Sequence, residues 1–263
     1  MGMSARGRRR EIVELAHTTG LASVEELSQR FEVTASTIRR DLARLTSEGK
    51  IARTYGGAMA LSGRVGESTF RQRNQEAAEA KRAMARLAVG MVDDGDTVLL
   101  DAGSSVAALA VELRDRVTVS VATSSLVVVE ELADADDIHV ECLGGTLRHQ
   151  SQGFVGPLAE AALERMTADK VFLGADGVAP GAICEADQRQ TRLKEMMCAR
   201  AHRIVVLADA TKLGHAPFHA WALLPEGWTL VTDDSATEEQ LRPFRDAGVD
   251  VHVAGVEAAV APE

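Results

Sequence analysis

Apolar residues recur along this chain in two rhythms, and the rhythm changes near residue 60. Before that point Ile12, Val13, Leu15 and Ala16 fall on one side of a helix predicted over residues 7–19. Leu27, Phe31, Val33, Ile38, Leu42 and Leu45 then recur at spacings that let them share one small core, across a break at Glu32-Val33-Thr34. The break separates a short helix, Val24 to Phe31, from a second that opens on Thr34 or Ser36, both good N-caps. Gly49-Lys50 ends the second helix, Ile51 to Tyr55 reads as a short strand, and Gly56-Gly57 opens a Gly- and Ser-containing linker to about Glu67. Farther on, short β-rich runs alternate with helical ones. Strands are expected at 97–100, 117–122, 138–143, 170–173, 204–207, 229–232 and 249–253, and helices at 75–91, 106–113, 126–133, 158–166, 189–201 and 238–247. This alternation predicts a doubly wound, mainly parallel α/β sheet. The expected layout is a small all-α, winged-helix domain over residues 1–60 and an α/β domain over residues 75–255.

Composition sharpens this division. Apolar residues make up 46% of the 263, but aromatics only 3%, so the core must be Val, Leu, Ile and Ala. Residues 1–60 carry ten Lys and Arg against seven Asp and Glu, a net of +3; the other 203 carry nineteen against thirty-two, a net of −13, which together make the −10 of the whole. An acidic body with a slightly basic head argues against wide non-specific coating of nucleic acid and suits a head that docks on a defined site. Cys142, Cys184 and Cys198 are far apart and form no CxxC pair, so they read as buried free thiols in a reducing cytoplasm, with no structural metal. His215 and His219 stand four apart, but Pro217 lies between them and no third ligand is near, so they read as ordinary loop histidines. Trp221 and Trp228, around the turn at Pro225-Glu226-Gly227, read as packing residues. No run of about 18 apolar residues occurs, and the Arg-rich start leads into an amphipathic helix, so neither a membrane span nor a leader is expected.

Two short helices with a tight turn, the second bearing paired arginines near its start, read as a helix-turn-helix. Thr37, Arg39 and Arg40 are left off the apolar face and are the expected DNA contacts, with Ser36, Arg44 and Arg53 in support; arginine reads guanine edges or clamps phosphate. Arg8, Arg9 and Arg10 at a helix start oppose its dipole. They either lie against phosphate or form a solvated, frayed end. The stretch Val33-Thr34-Ala35-Ser36-Thr37-Ile38-Arg39-Arg40-Asp41-Leu42, followed by Leu45, Gly49, Arg53 and Gly56-Gly57-Ala58, resembles the N-terminal domain of the DeoR family of bacterial transcriptional regulators, with Thr34 where the family usually has serine.

In an open α/β sheet, ligands sit beyond the carboxyl ends of the strands. Five loops there carry small, hydroxylated or charged residues: Asp101 to Ser105, Thr123 to Ser125, Gly144 to Thr146 with Arg148, Gly174 to Gly177, and Ala208 to Lys212. Gly103-Ser104-Ser105 at a helix start makes a phosphate cradle, although the same triplet also makes an ordinary N-cap. The expected effector contacts are Asp101, Gly103, Ser104, Ser105, Thr123, Gly144, Gly145, Arg148, Asp176 and Lys212. Over most of residues 68–253 the chain resembles the DeoR-family sensor domain, through Phe70, Arg71, Arg73, Lys81, Asp94-Gly95-Asp96, Asp101-Ala102-Gly103, Leu143-Gly144-Gly145, Phe154 to Pro157, Asp169 to Gly174, Asp209 and Lys212. It departs from the family at Ser104 and Ser105 (usually threonines), Ser124 (usually asparagine) and near Gln190 (commonly glutamate). The sensor domain is similar in turn to ribose-5-phosphate isomerases, which implies a phosphorylated sugar as effector and raises an isomerase-like enzyme as the alternative. Val178 to Glu185 contains no lysine after Asp176, so the general-base arrangement is incomplete and no catalysis is expected. Arg192 and Lys194 read as lying on a helix near the ligand loops, by default a solvated face, although Lys194 matches a position of the family. The resemblance implies a cytoplasmic DNA-binding regulator acting as a repressor, with a double-stranded operator and a phosphorylated sugar as partners and no cofactor. A head that reads one half-site implies a homodimer or homotetramer.

Overall fold

A computed structural model describes residues 7–9, 11–12, 21–47, 51–54, 57–60, 67–114 and 118–255. The chain forms two compact units, residues 1–66 and 67–263.

In the first unit residues 7–9 and 11–12 are helical, and β1 (Leu21–Ser23) leads into α1 (Val24–Phe31) and α2 (Ala35–Ser47). Ile12, Val24, Leu27, Ile38, Leu42 and Leu45 are buried together, with Phe31 and Val33 packed against them. The turn is closed by Glu32 in the left-handed region (φ 50°), with Val33 N donating to Ser28 O and Glu32 N to Gln29 O. That is a helix C-cap in which a glycine is usual. β2 (Ile51–Thr54) and β3 (Gly57–Ala60) pair antiparallel, and β3 also pairs with β1. Residues 57–60, expected in a linker, are therefore the return strand of the wing: small residues such as Gly57 and Ala58 carry little strand propensity of their own, and pairing to two neighbours overrides it. Residues 13–19 of the helix expected over 7–19, the expected end of the second helix at Gly49-Lys50, and Tyr55 and Gly56 lie outside the described residues.

The second unit is built on seven parallel strands, β4 (Thr97–Leu100), β5 (Val119–Thr123), β6 (Ile138–Cys142), β9 (Ala168–Leu173), β12 (Ala201–Leu207), β14 (Thr229–Asp233) and β15 (Asp250–Ala254), in the order β15-β14-β12-β9-β4-β5-β6. Side chains alternate across it. Val98, Leu100, Val121 and Phe172 face a core shared with α4 (Ala78–Val89) and α5 (Ser104–Leu113). Leu99, Val171, Leu173 and Val206 face the other core, with α7 (Pro157–Leu163), α8 (Gln188–Arg200) and α9 (Glu238–Asp246). α6 (Leu126–Leu132) completes the first layer. At the starts of the strands, Asp96 and Asp93 pair with Lys170, and Asp169 accepts from Thr97 N at 2.9 Å, which gives the family-matching Asp96, Asp169 and Lys170 a structural task.

Three features depart from the sequence reading. The helix expected over 75–91 is α4, which starts only at Ala78, and an additional short helix, α3 (Phe70–Gln75), precedes it, the two being parted at Ala77 in the left-handed region (φ 48°, ψ 38°). Two antiparallel insertions are additional, the hairpin of β7 (Thr146–Arg148) with β8 (Gly153–Val155), and a sheet of β10 (Gly177–Ala179), β11 (Ala182–Glu185) and β13 (Ala220–Leu223). Their three- and four-residue strands are too short to show a period. Cys142 is exposed because β6 is a sheet edge; Cys184 and Cys198 are buried and free.

Candidate functional site

The apolar positions of α2 decide which of its polar side chains face out. With Ile38, Leu42 and Leu45 buried, Ser36, Arg39, Arg40 and Arg44 are exposed and Thr37 half-buried. Thr34 caps the helix: its Oγ1 accepts from Thr37 N at 3.4 Å and lies 2.9 Å from Ser36 Oγ and 3.0 Å from Thr37 Oγ1. Asp41 points inward. Its carboxylate receives Arg8 Nε at 2.7 Å and Arg9 Nη1 at 3.2 Å, and both Arg8 and Asp41 are buried. Arg8 and Arg9 are thus ion-paired to the second helix, so they do not form the solvated, frayed end that was one of the two readings from sequence. Arg53 lies on β2 opposite Ala58.

The second site follows from strand order. The chain runs from β4 outward through β5 to β6, then returns to the other side of β4 with β9 and continues to β15. β4 and β9 are therefore the switch point, where the loops leaving their carboxyl ends part and open a crevice. The cleft there is narrow, with a cavity volume of about 20 Å³, and is lined by Arg73, Ala102, Gly103, Ser104, Ser105, Gly174, Ala175, Asp176, Glu185, Gln190, Lys194 and Lys212. Gly103 caps α5 without a side-chain hydrogen bond, so the first N–H groups of that helix are left for another acceptor. Ser105 Oγ is buried and has no hydrogen-bond partner among the described residues.

Behind this wall sits a buried charge cluster. Lys194 Nζ bonds Asp101 Oδ2 and, at 2.7 Å, Gly174 O; Asp101 Oδ2 also accepts from Gly174 N at 3.1 Å. Glu185 Oε1 is 2.9 Å from Lys194 Nζ as a charge pair but receives no aligned hydrogen bond. Burial first, then Asp176 and Asp101, pushes the Glu185 carboxyl up to about 7 against the pull of Lys194. Burial alone would lower Lys194, but the two carboxylates outweigh it and hold the ammonium above its ordinary range. Lys81 is lowered to about 8 by burial and then by Lys212. A cleft walled by Arg73, Lys194, Lys212 and a helix start favours an anion, and its Asp176 and Glu185 carboxylates accept from hydroxyls.

Five of the expected effector residues thus meet on one cleft: Gly103, Ser104, Ser105, Asp176 and Lys212. Asp101 is one layer behind. Thr123, Gly144, Gly145 and Arg148 do not line it. Thr123 Oγ1 donates to Leu100 O at 2.7 Å and accepts from Ser125 N, bracing two strands. Gly145 has φ 117° and packs so closely that a Cβ would meet Val155 O at 2.7 Å, so its hairpin requires glycine. Arg148 is paired with Glu67 and Asp187. Reading Lys194 as solvated was wrong; it is 2% exposed. The signal lay in the period of α8, where Gln190, Leu193, Lys194, Met197 and Cys198 repeat on one buried stripe. Among the described residues no His, Cys, Asp and Glu grouping could hold a metal, and no helix is long and apolar enough to cross a membrane.

Two family models match the chain, a DeoR-like helix-turn-helix domain over residues 8–64 and a DeoR C-terminal sensor domain over residues 76–234. The chain is 34% identical over 245 residues to the HTH-type transcriptional regulator GlpR of Haloferax volcanii, covering 93% of this chain and 96% of that one. It is 30% identical over 229 residues to the lactose phosphotransferase system repressor of Streptococcus mutans, covering 86% and 91%. Among solved structures, ribose 5-phosphate isomerase A of Methanocaldococcus jannaschii aligns with a TM-score of 0.38 and 22% identity over 50% of this chain and 52% of that one.

Proposed function

The chain belongs to the DeoR family of transcriptional regulators, and we propose that it represses transcription by holding a double-stranded operator until a phosphorylated sugar occupies the switch-point cleft. The observation that carries the effector class is the coincidence, in one cleft, of an uncapped helix start, the unpartnered Ser105 hydroxyl and the Arg73 and Lys212 cations. These take a phosphate, while Asp176 and Glu185 take sugar hydroxyls. Relatives named as a transcriptional regulator and as a repressor of a lactose phosphotransferase system support the same reading. Thr37, Arg39 and Arg40 contact the operator, with Ser36, Arg44 and Arg53 beside them, and the protein acts as a homodimer or homotetramer on paired half-sites.

The cleft binds and does not turn over. Asp176 is already engaged by Arg73 Nη1 at 3.3 Å and by Ala186 N at 3.3 Å, and Lys194 is committed to Asp101 and Glu185, so the lysine is not free to work with the acidic loop; Glu185, which receives no aligned hydrogen bond, is the lining carboxyl on which any turnover would depend. The test is a thermal-shift panel of fructose 1-phosphate, glucose 6-phosphate, ribose 5-phosphate and their free sugars. A phosphorylated member should raise the melting temperature far more than its free sugar, by mass action on the folded state. Gly103→Ala should fold normally, because φ is −175° and the new Cβ would meet only Gly174 Cα at 3.8 Å, yet respond less. No shift with any phosphorylated ligand would refute this effector class; aldose–ketose turnover that disappears in Asp176→Ala would make the protein an enzyme.

A further inference from the structure

The cleft shares one of its walls with the point where the chain enters the second unit. That unit begins at Glu67, directly after the segment that comes from the DNA-binding unit. Glu67 is held by Arg148, whose Nη1 lies 2.7 Å from Oε1 and whose Nη2 bonds Oε2. It is also touched by Arg73, a cleft residue. Arg73 divides a single Nη1 between Glu67 Oε1 at 3.2 Å and Asp176 Oδ1 at 3.3 Å. Both bonds are long for a charged donor, and the other guanidinium N–H groups have no protein partner among the described residues. Arg73 is therefore the less committed of the two arginines and the one that faces the ligand.

Arg73 also sits on α3, the least anchored helix of the second unit. None of its six residues is buried. It is held by polar contacts: the Thr69–Gln72 capping box, Phe70 N donating to Gln150 O at 2.8 Å, and Lys81 Nζ donating to Arg73 O and, at 2.6 Å, to Glu76 O. At its far end Ala77 occupies the left-handed region, where a residue with a side chain is strained. An element without apolar burial, next to a strained junction, is drawn from the low-stability end of a structure.

We propose that Arg73 and Glu67 form a ligand-responsive latch. An anion in the cleft competes with Glu67 for the Arg73 guanidinium, draws it off, and loosens residues 67–75, so that occupancy is reported to the segment through which the chain continues to the DNA-binding unit. The inference rests on the reading of the cleft as an anion site. Binding alone shifts nothing unless the two states differ in their contacts with ligand. Here Arg73 supplies the difference, since it faces Glu67 in one state and the anion in the other.

Hydrogen–deuterium exchange on the full-length protein tests this, with inorganic phosphate and glucose 6-phosphate as probes and calorimetry to establish occupancy. Exchange over residues 67–75 should rise several-fold in the wild type when probe is bound. In Glu67→Gln it should be raised without probe and rise no further, and probe affinity should increase by a similar factor, because the anion no longer competes with Glu67 for Arg73. Bound probe with unchanged or slowed exchange at 67–75 in the wild type overturns the latch and leaves the anion site standing, and this arm needs no variant. A Glu67→Gln protein that responds like the wild type also overturns it. Absence of binding by both probes removes the anion site and the latch with it.

Discussion

At the scale of single residues, one carboxyl on the cleft lining is held well above the ordinary carboxylate range by burial. Glu185 is pushed up to about 7 from an ordinary 4.5 chiefly by burial. A carboxyl that holds its proton more firmly folded than unfolded favours the fold below pH 4.5 and loses that contribution as pH rises through 7. Glu185→Gln should therefore flatten the decline in melting temperature between pH 5 and pH 8 and leave the variant more stable than the wild type at pH 8. The difference should be on the order of 3 kcal/mol at most, by the usual 1.36 kcal/mol per unit. Lys194 keeps Asp101 and Gly174 O in that variant, so its own charge remains compensated. A melting curve that keeps the wild-type pH slope would show that Glu185 is not the titrating group.

At the scale of the element, α2 carries two kinds of charge that adjacent positions separate cleanly. Arg39 and Arg40 are exposed, whereas Asp41 is buried against Arg8. Arg39→Ala and Arg40→Ala should leave folding intact and weaken operator binding, by ~1–3 kcal/mol where the arginine reads a base. Asp41→Asn should do the reverse at first sight of heat: it leaves the Arg8 guanidinium buried without its partner charge, a loss of about 3–5 kcal/mol for pairs of this kind. Melting of the DNA-binding unit alongside operator titrations in rising salt checks both. Wild-type affinity in the arginine double variant would place the reading surface elsewhere.

At the scale of the whole molecule, the two units communicate only as far as ligand and DNA change each other's affinity. If a phosphorylated sugar weakens operator binding by some factor, operator must weaken sugar binding by the same factor. A coupling of ~1–3 kcal/mol, typical of allosterically linked sites, is measurable by titration in both directions. Unequal factors would mean that some further equilibrium, such as assembly, intervenes. Operator affinity itself should fall steeply with salt through counterion release, even though the chain as a whole carries −10.

Much of this was legible before any coordinates. The two rhythms of apolar residues, helical around Leu27, Ile38 and Leu42 and strand-like around Val98, Val171 and Val206, follow from local periodicity, which needs no partner to be read. Helix starts such as Thr34 and the loop Gly103-Ser104-Ser105 were equally local. What periodicity cannot carry is which strands are neighbours. The adjacency of β4 and β9 brings Gly103 against Gly174 and Asp176 to the cleft, and the pairing of β12 with β9 brings Lys212, while Thr123, Gly144 and Arg148 are left outside it. Charge partners were hidden for the same reason. Arg8 finds Asp41 across 33 residues and Lys194 finds Asp101 across 93, because burial in a folded core, not nearness along the chain, decides which charges must be paired.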